Sequence, residues 1–173
     1  IQKYSASKKA LNFKLSLSTQ LKGESFTEND VLILDGICPS DEQDNLELLN
    51  RCEFYPEEKE LHGMSFRASV KVISDGKVSY SKNYITVENA SKAYIFFTTE
   101  NSFNGFDKHP ALEGKEYKNA CLKMLESVSA VDYKTLKKSH TDDFTALFSR
   151  VSLDLGTDNK GDVPTNKRLI KHD

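Results

Sequence analysis

The chain has 173 residues, of which 29% are charged and 38% apolar, with a net charge of -2. That length holds one domain with a real core, or one domain and a short appendage. The near-neutral balance offers no electrostatic footprint for nucleic acid or an anionic membrane, and no apolar run is long enough to span a bilayer.

No signal-peptide pattern opens the chain. It begins at Ile1, directly in strand-like sequence, so a piece of a longer protein is expected. Residues 1–7 read as an edge strand or a chain end. Leu11, Phe13, Leu15 and Leu17 then alternate with polar residues, the period of a half-buried strand. Residues 21–30 are polar, with Gly23 and Asn29-Asp30 as turn signals. Residues 31–34 form a short apolar run closed by Asp35-Gly36, which predicts a strand buried on both faces. Acids, amides and proline dominate residues 39–60, the composition of a solvated surface loop. Its Asp41, Glu42, Asp44 and Glu47 lack the fixed offsets and central glycine of a calcium loop, so no metal site is expected there.

Alternation returns with Phe66, Ala68, Val70 and Val72, and Ser74-Asp75-Gly76 predicts a tight hairpin turn. Residues 77–80 and 84–87 are further short strands, and Ala93 to Thr99 reads as a central one. Strands this short, with turns every roughly eight to twelve residues, predict an antiparallel β-sandwich. Residues 101–113 form an irregular loop with two phenylalanines among amides and an acid. Tyr117, Ala120, Cys121, Met124, Leu125 and Val128 make a helical stripe, and Tyr133, Leu136, His140, Phe144 and Leu147 a second one, with Asp132 as its N-cap. The turn around Ser129-Ala130-Val131 predicts a helical hairpin. Val151, Leu153 and Leu155 then alternate as a short strand ended by Gly156, and the remaining polar tail reads as a connection.

The expected organisation is therefore mainly β. A sandwich occupies residues 1–113 as part of a larger domain. A helical linker and short strand fill 114–156, and a polar connection runs through 157–173.

The residues supply no catalytic constellation. His62, His109, His140 and His172 are scattered, and no nucleophile elbow, phosphate loop or dinucleotide fingerprint occurs. His140 and Asp143 lie one helical turn apart and read as a surface contact. Cys38, Cys52 and Cys121 match no zinc or redox spacing and read as buried or incidental thiols. No cofactor is expected. Asn89-Ala90-Ser91 fits a glycosylation sequon.

Two stretches carry a resemblance. The first runs from His140-Thr141-Asp142-Asp143-Phe144 through Leu147-Phe148-Ser149-Arg150-Val151-Ser152-Leu153-Asp154-Leu155-Gly156, with Pro164-Thr165 and Arg168-Leu169 beyond. It resembles the inter-domain segment of glycoside hydrolase family 95, the α-L-fucosidases with some α-L-galactosidases. The second, Thr98-Thr99-Glu100-Asn101-Ser102-Phe103-Asn104-Gly105-Phe106, is similar to a loop of the same family, and Leu11 to Leu17, Gly63 to Phe66 and Ser74 to Val78 agree with its strands. The family pattern Thr-Asp-x-Arg is here Thr165-Asn166-Lys167-Arg168.

The resemblance implies an N-terminal sandwich and helical linker leading to an (α/α)6 barrel that is absent here. Inverting hydrolysis of a terminal α-L-fucoside would belong to that barrel, so no catalytic residue falls on this chain and no activity is expected of it alone. An oligosaccharide substrate and a secreted or periplasmic location are implied for the parent. Phe103, Asn104, Phe106 and Asp107 are the expected contributors to a substrate rim, because aromatic faces pack on sugar C–H surfaces and amides and carboxylates bond hydroxyls. The alternatives are a carbohydrate-binding sandwich acting alone, with Tyr80, Tyr84 and Tyr94 as its platform, or the equivalent domain of a sugar phosphorylase.

Overall fold

A computed structural model describes residues 1–40, 55–154, 156 and 161–169. The chain divides into two compact units, Ile1–Asp132 and Tyr133–Asp173.

The first unit is built on two antiparallel sheets. β1 (Gln2–Ser5), β3 (Lys22–Glu28), β4 (Val31–Ile37), β5 (Ser65–Ser74) and β8 (Lys92–Asn101) form a five-stranded sheet in the order β1-β8-β5-β4-β3. β2 (Leu11–Ser16), β6 (Lys77–Ser81) and β7 (Tyr84–Ala90) form a three-stranded sheet in the order β2-β7-β6. Period-two alternation aims Leu32, Val70, Val72 and Ile95 of the larger sheet at Ile85, Val87 and Ala90 of the smaller one. Leu11, Phe13, Leu15, Val78 and Tyr80 close the core at its margins. The fold is thus mainly β and sandwich-like, as the alternation predicts.

The larger sheet has a second buried face. Helix α1 (Lys118–Ser129) packs on β5 and β8, burying Cys121 and Leu125 of its stripe and leaving Met124 exposed. This is why β4 is apolar at consecutive positions. Leu32 and Leu34 face the sandwich interior while Ile33, paired with Ser69, faces the helix side. Cover is less complete at Phe97. It lies on the inner face, opposite Val70, yet is 53% exposed.

Two local expectations in the first unit need correction. Residues 22–28, read as polar turn sequence, are the edge strand β3. Gly23 is paired with Gly36 there, where a Cβ would sit 2.7 Å from the Asp35 carbonyl oxygen. Asn29 and Asp30 do form the β3–β4 turn, both at positive φ (49° and 59°), as that tight connection needs. Ser74-Asp75-Gly76 does not close a hairpin, because β5 and β6 belong to different sheets. It is a corner between sheets, held by Asp75 Oδ1, which accepts from the N–H groups of Ser91 and Lys92 at 2.8 Å each. Gly76 serves close approach there rather than positive φ, since a Cβ would collide with the Glu88 carbonyl oxygen.

The second unit holds α2 (Tyr133–Phe148) and the short α3 (Thr165–Leu169). Residues 151–154 form no strand, despite their alternation, and Leu155 lies outside the described residues. The tail is not wholly irregular: Pro164 opens α3, and its carbonyl accepts from Lys167 N–H at 2.9 Å.

Candidate functional site

The loop after β8 starts from a buried anchor. Ser102 is one of the few buried polar residues, and its hydroxyl accepts from Ser65 N–H at 3.0 Å. Its own N–H bonds the Ser65 carbonyl at 2.8 Å, and its carbonyl takes Lys115 N–H at 3.1 Å. Both ends of the loop are therefore pinned to one residue. Gly114 permits that crossing, because a Cβ there would lie 2.9 Å from Ser102 Cβ.

Between the pins the loop ties itself together. Asn101 Oδ1 accepts from Phe103 N–H at 3.0 Å, and Asn104 Nδ2 donates to the Glu113 carbonyl at 2.8 Å. His109 Nδ1 accepts from the N–H groups of Ala111 and Leu112 at 3.2 and 3.3 Å, so this ring shapes the loop. Gly105 supplies a positive φ of 122°. The result is a loop held by its own backbone that presents Phe106 at 99% exposure and Phe103 at 54%. Asp107 is exposed as well. Of the four rim residues read from sequence, the two aromatic faces and one carboxylate face solvent, while the Asn104 amide nitrogen is committed to the loop.

Beside the loop lies a charged row that sequence reasoning did not single out. Asp35, Arg67 and Glu100 are cross-strand partners on the helix-side face of the larger sheet. Arg67 donates twice to Asp35, Nε to Oδ1 at 2.6 Å and NH2 to Oδ2 at 2.7 Å. Lys118, in the first turn of α1, reaches Asp35 at 3.2 Å, and Lys115 reaches Glu100 at 3.0 Å. Burial pushes the Asp35 carboxyl up, but the hydrogen bonds from Arg67 and Lys118 outweigh it and hold the carboxyl below the usual range. Such an acid stays ionised and is a poor proton donor. The row ties the loop and α1 to the sheet. Its signal in the sequence was positional: one charged residue in each of three strands, brought side by side by strand register.

The other candidates that the structure describes take structural positions. Cys121 is fully buried, its sulfur 3.4 Å from the Ser69 hydroxyl, and burial pushes the Cys38 thiol up, away from the reactive thiolate. Cys52 and the acidic run at Asp41, Glu42, Asp44 and Glu47 lie outside the described residues. No cluster of three or more metal-ligating side chains occurs among the described residues. His140 stacks on Phe144 at 6.4 Å between centroids. Tyr80, Tyr84 and Tyr94 do not form a platform. Tyr80 packs on the core, Tyr84 lies under Lys14 Nζ on the opposite face of the smaller sheet, and Tyr94 belongs to the helix-side face of the larger one.

In the second unit, Phe144, Leu147, Phe148, Val151 and Leu153 line one apolar groove and are all exposed. The Phe144 and Phe148 rings stack at 5.1 Å along α2, one turn apart. In comparisons with known proteins, no family model matches the chain and no curated protein matches it.

Proposed function

We propose that this chain is the non-catalytic sandwich and helical linker of a glycoside hydrolase resembling the family 95 α-L-fucosidases. Its work is to brace a catalytic domain and to lend the loop at residues 101–113 to the rim of the substrate site. The observation that carries this reading is the uncovered apolar groove of Phe144, Leu147, Phe148, Val151 and Leu153. It falls inside the junction stretch where the resemblance is most specific, and water-exposed apolar faces of this kind mark surfaces meant for burial. The exposed inner-face Phe97 supports the same reading, since it fits a sandwich that is part of a larger one. The two solvent-facing phenylalanines of the loop suit contact with a sugar.

Titration calorimetry of the isolated chain with fucosyl-lactose tests the division of labour. The scaffold reading predicts no heat at millimolar glycan. Saturable heat would replace it with a carbohydrate-binding module acting alone. For the rim, kinetics of the parent enzyme carrying Phe106→Ala are expected to show a raised KM, and unchanged kinetics would remove the loop from the site.

A further inference from the structure

Asn89-Ala90-Ser91 is the chain's one Asn-x-Ser/Thr triplet. It sits on a backbone irregularity that controls where its asparagine points. β2 and β7 pair as Phe13 with Val87 and then Leu11 with Ala90, so the register shifts by one residue and β7 carries a bulge. Val87 and Ala90 are both fully buried although three residues apart. Strict alternation would carry residue 89 to the same face as Val87. The bulge instead sets Asn89 at φ 55°, with its N–H bonded to Asn12 Oδ1 at 2.9 Å, and leaves its side chain exposed.

The left-handed backbone explains an asparagine or a glycine at this position. It does not explain the serine two residues on. Ser91 is held by its backbone, N–H to Asp75 Oδ1 at 2.8 Å and carbonyl to Ala6 N–H at 3.0 Å. Neither the Asn89 amide group nor the Ser91 hydroxyl has a side-chain hydrogen bond among the described residues. The fold thus fixes the triplet's backbone and leaves both of its chemical groups unengaged, on a side chain turned away from the core.

We propose that Asn89 is an N-glycan acceptor when the chain enters a secretory lumen. The donor class is a lipid-pyrophosphate-linked oligosaccharide. Asn89 Nδ2 attacks the anomeric carbon of the first sugar and the new C–N bond forms. The bond from that carbon to the phosphate oxygen breaks, the lipid pyrophosphate leaves with the electron pair, and the amide yields one proton to a carboxylate of the transferase. The sugar projects from the bulge and displaces no core side chain.

Cell-free translation with endoplasmic-reticulum microsomes, behind a cleavable leader, reads this directly. The expected result is one discrete mass increase that peptide N-glycosidase removes. Asn89→Gly keeps the left-handed backbone and removes the acceptor, and Ser91→Ala keeps the acceptor and removes the hydroxyl; both lose the increase. Limited proteolysis of the glycosylated and sugar-free chains is expected to match. No mass increase, an increase that survives Asn89→Gly, or a glycosylated chain that becomes protease-sensitive overturns the proposal.

Discussion

Replacing Asp35 by Asn probes the bond between the larger sheet and helix α1. Asp35 accepts both guanidinium hydrogen bonds of Arg67, at 2.6 and 2.7 Å, and a contact from Lys118 at 3.2 Å. The Arg67 side chain is 8% exposed and that of Asp35 23%, so the pair is largely shielded. Removing one partner of a fully buried pair costs about 3–5 kcal/mol, because the other charge is stranded. Here asparagine still accepts one hydrogen bond, and Glu100 lies opposite Arg67 on β8. Those two facts bring the expected loss to about 2 kcal/mol. Urea unfolding at pH 7, followed by circular dichroism, measures it. Adding Arg67→Met removes the stranded charge and is expected to recover at least half of the loss. The acid limb supplies a second readout. The folded Asp35 carboxyl lies below its unfolded value of about 3.9, so its contribution is full above that pH and is lost as pH falls through the folded value. Asp35→Asn should flatten the decline of stability below about pH 4. A single variant within about 0.5 kcal/mol of the parent chain, or a double variant worse than the single, would refute the role given to this pair.

Three further outcomes are expected. Leu125→Ala, at a position 1% exposed, should cost about 2–4 kcal/mol in the same unfolding assay; a loss under ~1 kcal/mol would mean that α1 is not firmly docked. Gly36→Ala drives a Cβ into the Phe66 ring and should cost about 1–3 kcal/mol, whereas a neutral result would show that the ring moves aside freely. Phe144→Ser combined with Phe148→Ser should leave stability within about 0.5 kcal/mol and lower the binding of a hydrophobic dye, since both rings are exposed; undiminished dye fluorescence would place the apolar surface elsewhere.

What the sequence made legible follows the strength of periodicity. Leu11 to Leu17 and the stripe containing Cys121 and Leu125 each bury one face, Phe66 to Val72 keeps its apolar residues to one face although both are covered, and each was readable. β3 was not, because an edge strand needs little apolar content. Phe26 is its single large apolar residue, and Gly23, a turn signal by type, is there for close approach to Asp35. Asp75-Gly76 misled for a different reason. A turn dipeptide says that the chain reverses, not whether the next strand joins the same sheet. Among the described residues Val151 and Leu153 alternate without pairing as a strand, and alternation alone does not supply hydrogen-bond partners. At the candidate site, the irregular loop and its two phenylalanines were legible from composition, but their exposure was not. The Asp35–Arg67 pair was not, because its two halves are 32 residues apart and meet only through strand register.

The central proposal is that this chain serves a fucoside hydrolase whose chemistry lies outside it. The direct measurement is proton NMR of fucosyl-lactose incubated with a longer protein that carries these residues joined to an (α/α)6 barrel, beside the 173-residue chain alone. The account predicts L-fucose release by the longer protein only, with the β anomer appearing first as inversion requires. No release by the longer protein, release of the α anomer first, or turnover by the short chain would contradict it.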